Sequence, residues 1–261
     1  MNERATRILL INPNTTASMT DKIRASAEMV RSPETRITAI NPSEGPPSIE
    51  GHFDEAMSLP GLLAAVQAGE EAGYDGFVVA CFDDTGIGAC REIASGPVIG
   101  ICEAAMRTAS MISTGFSVVT TLPRSVPIIE SLAVEYGMER RLRRVRAANI
   151  PVLALEEAGG DSREQVRAEV ALAIEQDRCE AVILGCAGMA DLTAWLSAQT
   201  GVPVIDGVVA AVKLIEALVG GGFKTSKAGA YAAPLPKGDQ APVARVDDRE
   251  LGLDRASGGL D

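Results

Sequence analysis

At 261 residues with 46% apolar content, the chain is long enough to bury a sizeable core, as one large domain or as two lobes of about 105 residues. Its 24 basic and 35 acidic residues leave a net charge of -11, which argues against nucleic acid or an anionic membrane as the main partner. Five cysteines, an odd number without short-chain disulfide spacing, fit a reducing interior.

The first sixteen residues, MNERATRILLINPNTT, hold only four consecutive apolar positions, too few for the core of a signal peptide. No segment reaches the roughly 18 apolar residues of a membrane span, so a cytoplasmic protein with no membrane partner is expected. Short Val- and Ile-rich runs then alternate with stretches of helical period, the pattern of a parallel sheet covered by helices. The first half reads strand 7–11, helix 16–30, strand 36–40, helix 59–72, strand 76–80, helix 87–94, strand 97–100 and helix 103–111. The second half reads strand 116–120, helix 125–136, strand 142–147, helix 162–176, strand 181–184, helix 189–200, strand 203–205 and helix 207–218. Segment 41–60, rich in Pro, Gly and Ser, is expected to be a lid over a cleft. Beyond Gly220 the periodicity stops, and a tail is expected that orders only near Tyr231.

The two halves repeat. Cys81 to Cys186 is 105 residues, Asn14-Thr15 to Thr120-Thr121 is 106, and the Pro-Val-Ile at Pro97 recurs at Pro203, again 106. The expected fold is therefore α/β, with two pseudo-symmetric lobes, each a four-stranded, mainly parallel sheet flanked by helices, and an active site in the cleft between them. The divisions are 1–111, 112–220 and a tail 221–261, with helix 207–218 packing back on the first lobe.

Ligands of open α/β sheets collect at the carboxyl ends of strands, where Asn14, Cys81, Thr120 and Cys186 fall. A free cysteine is usually a small buried hydrophobe, and Cys90, Cys102 and Cys179 are read so. Cys81 and Cys186 differ because they occupy matching strand tips that open toward helix N-termini, where a lowered thiol pKa is expected. Two thiols facing one carbon suit proton transfer, one acting as base and the other as acid. The only histidine, His52, leaves little scope for Ser-His or Cys-His chemistry. There is no Cys-x-x-Cys and no nucleotide fingerprint, so neither a metal nor a cofactor is expected.

Backbone donors in Gly185-Cys186-Ala187-Gly188-Met189 and in the Thr120-Thr121 turn are candidates for holding an oxyanion. Asn14 suits a polar ligand or the cap of the next helix. Asp83 and Asp84 adjoin Cys81, where a carboxylate raises a thiol pKa unless it points away, and Asp84 suits the cap of the helix near Gly86. Glu103 and Asp206 suit either tuning of the thiols or helix capping. Arg140, Arg141, Arg143, Arg144 and Arg146 are read as a solvated helix end, with a subunit contact as the alternative.

The segments ILLINPNTTASMT (8–20), ACFDDTG (80–86), PVIGICEAA (97–105), FSVVTTLPRSVPIIE (116–130) and GCAGMADL (185–192) resemble the hydantoin and allantoin racemase family of the aspartate/glutamate racemase superfamily. The resemblance runs from about residue 7 to 218 and puts the family's two catalytic cysteines on Cys81 and Cys186. It implies cofactor-independent racemisation at the ring carbon of a 5-substituted hydantoin or allantoin, a small cyclic ureide, by a homo-oligomer. Asn14, Asp84, Thr85, Thr120, Thr121, Gly185, Ala187 and Gly188 are then the expected substrate-binding residues. Many members resemble Cys-Phe-Gly-Asp-Pro-Gly after the first cysteine, whereas this chain has Asp83 and Thr85 in place of the glycine and the proline. The alternatives are a maleate-type isomerase, an amino-acid racemase of the same superfamily, or a non-catalytic bilobal sensor.

Overall fold

A strand buried on both faces needs apolar residues at every position, because successive side chains point to opposite sides. In the computed structural model, which describes residues 5–156 and 161–236, Ile8 to Ile11 of β1 (Thr6–Ile11) meet that requirement. Ile8 and Leu10 enter one core while Leu9 and Ile11 enter another on the opposite face. β1 pairs with β2 (Thr35–Ile40) and β3 (Gly76–Val79), and β4 (Val98–Gly100) joins β3, giving a parallel sheet in the order β2-β1-β3-β4. The second half repeats this arrangement with β5 (Phe116–Thr120), β6 (Leu142–Ala147), β7 (Ala181–Gly185) and β8 (Val204–Ile205), in the order β6-β5-β7-β8.

Parallel strands need long crossovers, and helices supply them. These are α1 (Ala17–Val30), α2 (His52–Glu71), α3 (Ile87–Ile93), α4 (Ile101–Ile112), α5 (Val126–Glu135), α6 (Ser162–Asp177), α7 (Thr193–Thr200) and α8 (Gly207–Gly220). α2 and α3 cover the outer face of the first sheet over Leu9, Ile11, Phe77 and Val79. α6 and α7 cover the outer face of the second over Val119, Val182 and Leu184. The inner faces share one core, in which Ile8, Leu10 and Val78 join Phe116, Val118 and Ile183 through α4 and α8.

The last helix of each half lies on the sheet of the other. α4 packs against β7 and β8, α8 packs against β1, β3 and β4, and the two helices pack together. Their N-termini meet at Gly207, where a Cβ would lie 2.5 Å from the backbone oxygen of Ile101. Each fully buried Leu, Ile or Phe in the shared core contributes about 1.5–3 kcal/mol, so the halves form one body. Among the described residues no helix is long and apolar enough to cross a membrane.

Four local readings differ from the structure. α2 begins at His52 and runs through Pro60, although a proline is ordinarily taken as a helix start. Only the first part of segment 41–60 is therefore loop. α4 begins at Ile101, which places Cys102 in its first turn. The stretch before α7 is a separate 3-10 turn, Ala187–Leu192.

The basic cluster is not a solvated helix end. Arg143, Arg144 and Arg146 lie on β6, an edge strand, where exposed charge discourages pairing with another chain. Arg146 is buried there, and its guanidinium donates to Asp177 twice at 2.6 Å and to Glu169 at 3.1 Å. The tail folds back on the first half. Thr225 bonds Ser95 and Gly96, Lys227 reaches the carbonyls of Arg91 and Glu92, and Tyr231 stacks on Arg91. Residues 237–261 lie outside the described ones.

Candidate active site

β1, β3, β5 and β7 end at one place, and their carboxyl ends line a single narrow cavity of about 40 Å³. In each sheet the chain leaves the first strand toward opposite sides, to β2 and β3 or to β6 and β7. Such a switch point opens a crevice at the strand tips. Cys81 follows β3 and Cys186 follows β7, and both thiols line the cavity. Asn12 and Asn14 come from the tip of β1, and Thr120 and Thr121 from that of β5. Met19, Ile23, Phe82, Ile49 and Val152 make most of the remaining wall apolar.

The asparagines organise one another. Asn12 Nδ2 donates to Asn14 Oδ1 at 2.9 Å and to Thr20 Oγ1 at 3.0 Å. Asn14 Oδ1 also accepts from the backbone N–H of Thr16 at 2.9 Å, just before α1 begins. Among the described residues Asn14 Nδ2 meets only the sulfur of Met19, at 3.6 Å, which leaves a good donor available in the cavity. The Thr120 hydroxyl donates to the carbonyl of Gly185 at 3.1 Å and so ties the tips of β5 and β7 together. Gly185 has no room for a side chain, since a Cβ would lie 2.9 Å from that of Thr120.

Donors reach both sulfurs. Thr85 Oγ1 lies 3.8 Å from Cys81 Sγ, and the backbone N–H of Asp83 also points to that thiol. The backbone N–H of Gly188 serves Cys186 in the same way. Neither set wins. Burial, reinforced by the charge of Asp83, pushes the Cys81 thiol well above its ordinary range. Burial pushes Cys186 up to about 11, against the Gly188 N–H and with further repulsion from Asp83 and Glu156. The expected lowering is overturned because helix-terminal donors are outweighed by desolvation of a thiolate in a narrow cleft.

Of the residues expected at the substrate, Asn14, Thr120, Thr121, Gly185 and Ala187 line the cavity, while Thr85 and Gly188 stand behind the sulfurs. Asp84 lies elsewhere. It adopts a left-handed backbone, φ 47°, and turns its carboxylate to the first turn of α4. There it accepts from the N–H groups of Cys102 at 3.0 Å and Glu103 at 2.8 Å, and from Tyr136 Oη at 2.7 Å. Asp84 thus caps α4 rather than α3, a role that Asp206 fills for α8 by accepting from Val208 N–H at 2.7 Å. Glu103 is likewise taken by other partners, bonded to Arg91 at 2.6 Å and Arg107 at 2.7 Å.

Asp83 bears out the reading of a carboxylate beside Cys81, whereas two further contributors, Ile49 and Val152, were not legible as such. Asp83 lines the cavity beside the thiols, and burial first, then repulsion from Glu55, raises its carboxyl to about 6, with His52 opposing. Ile49 and Val152 come from segments on opposite halves, joined where the N–H of Val152 donates to Glu50 Oε1 at 2.8 Å. The loop carrying Ile49 is also fixed to α1 by Thr16 Oγ1, which donates to the Pro47 carbonyl at 2.6 Å. Loop 41–51 therefore crosses the cleft as a strap.

The sequence profile of a family described as Asp/Glu/Hydantoin racemase matches residues 8–215. A hydantoin racemase from Rhizobium meliloti is 56% identical over 230 residues, covering 88% of this chain and 95% of that protein. The structure of an allantoin racemase from Klebsiella pneumoniae superposes with a TM-score of 0.89 at 49% identity, covering 91% of this chain and 97% of that one. An allantoin racemase structure from Pseudomonas fluorescens gives 0.85 at 40% identity, covering 89% and 98%.

Proposed function

The chain belongs to the Asp/Glu/hydantoin racemase family, and from that premise we propose that it racemises 5-substituted hydantoins, allantoin included, with Cys81 and Cys186 as its two proton carriers. The observation that carries this reading is one thiol at each of two equivalent strand tips, both lining one cavity. The thiolate of one cysteine takes the proton at C5 as the C5–H bond breaks, and the electron pair moves into the adjacent carbonyl to give an enolate. The S–H of the other cysteine then delivers a proton to the opposite face of C5. Each turnover exchanges the protonation states of the thiols, so either enantiomer is a substrate.

The enolate oxygen needs donors that are in place before charge develops. Asn14 Nδ2 and the backbone N–H groups of the Thr120-Thr121 turn and of Ala187 are assigned this role, which their positions at the cavity support. The halves 1–111 and 112–220 each supply one thiol, and a cytoplasmic homo-oligomer is part of the same reading. The test follows optical activity of enantiopure hydantoins and allantoin with wild type, Cys81→Ser and Cys186→Ser. Wild type should abolish the signal, and each variant should be slower by roughly 10²–10⁴-fold. Each should still exchange the C5 proton of one enantiomer for deuterium. Racemisation surviving in both variants would overturn the two-thiol assignment.

A further inference from the structure

The cavity contains a charge that the racemisation chemistry does not need. Asp83 is 8% exposed, lines the cavity, and its carboxylate meets no hydrogen-bond donor among the described residues. By contrast, Asn12 is held by Asn14 and Thr20, and the Thr120 hydroxyl by Gly185. A buried carboxylate without donors is costly, and one beside the thiols also opposes both thiolates. Such a group is retained at a net gain only where something that enters the cavity satisfies it.

We propose, resting on the racemase reading, that Asp83 selects the substrate by accepting hydrogen bonds from an N–H-bearing substituent at C5, such as the ureido arm of allantoin. The ring N–H groups are the poorer partners. A carboxylate held against the ring would repel the enolate that forms there, whereas a bond to the arm keeps the charge away from the reacting atoms. Asp83 lines the same small cavity as Cys81 and Cys186. Protons are exchanged on opposite faces while the arm keeps nearly the same place, and one acceptor can therefore serve both enantiomers. The wall around Asp83 is mostly apolar, with Ile49, Phe82 and Val152, and this strengthens a charge-assisted bond to the arm.

The test compares kcat/KM for allantoin and for 5-isobutylhydantoin, whose arm has the branched shape of ureido without its donors, in wild type and Asp83→Ala. The isosteric Asp83→Asn, which keeps an acceptor but loses the charge, takes the place of Asp83→Ala if that variant does not fold. Wild type should prefer allantoin, and the substitution should lower the allantoin to isobutyl ratio by roughly 10- to 100-fold, mainly through the KM for allantoin. A ratio that moves by less than about tenfold overturns the proposal, because a ring contact or a general packing role would slow both substrates alike. Wild-type protein that racemises neither compound would overturn the racemase reading itself, and this proposal with it.

Discussion

Replacing Asp83 by asparagine should stabilise the ligand-free protein at alkaline pH and leave its stability nearly unchanged in acid. The carboxyl is raised from 3.8 to about 6, first by burial and then by Glu55, while His52 opposes; the neighbouring Cys81 and Cys186 are neutral at these pH values. In the unfolded chain the proton leaves near pH 4, and in the folded protein only near 6. Folded protein therefore holds more protons across that window, and stability falls as pH rises through it. A difference of about two pH units, at 1.36 kcal/mol per unit, amounts to about 3 kcal/mol lost above pH 6 and absent below about 4. The neutral amide escapes this loss. Urea denaturation of wild type and Asp83→Asn at pH 4 and pH 8 measures it, with an expected gain of up to about 3 kcal/mol at pH 8. Equal differences at the two pH values, or a wild type more stable than the variant at pH 8, would mean that the carboxylate has a donor and would refute the reasoning.

Because both thiols titrate far above neutrality, only a small fraction is thiolate at pH 7, and kcat/KM should rise about tenfold per pH unit between pH 6.5 and 8.5. A plateau already reached at pH 7 in a pH–rate profile would contradict the raised values. Asp177→Ala should cost about 3–5 kcal/mol in urea denaturation, since it strands the buried guanidinium of Arg146. A loss below about 1 kcal/mol would show that Glu169 and Gln176 satisfy Arg146 by themselves. Gly207→Ala brings a methyl to 2.5 Å from the Ile101 carbonyl at the junction of α4 and α8. The strain, about 1–3 kcal/mol, exceeds the gain of up to about 1 kcal/mol from helix propensity, so the melting temperature should fall, and a rise would refute it.

The layered fold was legible because its strands are buried on both faces and so are written as unbroken runs, Ile8–Ile11 and Ala181–Leu184 among them. The pairing of Cys81 with Cys186 was legible through the 105–106-residue repeat, which turns sequence distance into spatial equivalence. The extent of α2 was not, since Pro60 reads as a boundary while its exposed position in the helix tolerates the missing N–H. Asp83 and Asp84 are neighbours with opposite fates, one in the cavity and one on the N-terminus of α4. What separates them is the positive φ of Asp84, set by contacts with Cys102, Glu103 and Tyr136 that are remote in sequence. Ile49 and Val152 carry no local signal for the same reason. The direction of the thiol shifts was misread because helix N-termini are visible in a sequence whereas the burial of the strand tips is not.

The narrowness of the cleft bears on how the thiols work. A cavity of about 40 Å³ has space for about three waters, less than a hydantoin ring fills, so a wider cleft is expected in the substrate-bound protein. The strap over it is tied to α1 by Thr16 Oγ1 to the Pro47 carbonyl and Thr20 Oγ1 to Asn41, to the tip of β1 by Thr15 N–H to the Pro46 carbonyl, and to the other half by Val152 N–H to Glu50. Opening hydrates the thiols and removes the main cause of their raised pKa, which makes a thiolate easier to form. Closing over the substrate then strips that thiolate of water. A desolvated thiolate is a stronger base than a hydrated one, and the proton to be taken is bound to carbon. The burial that disfavours the thiolate in the empty protein is therefore what gives it the basicity to act once the ring is enclosed.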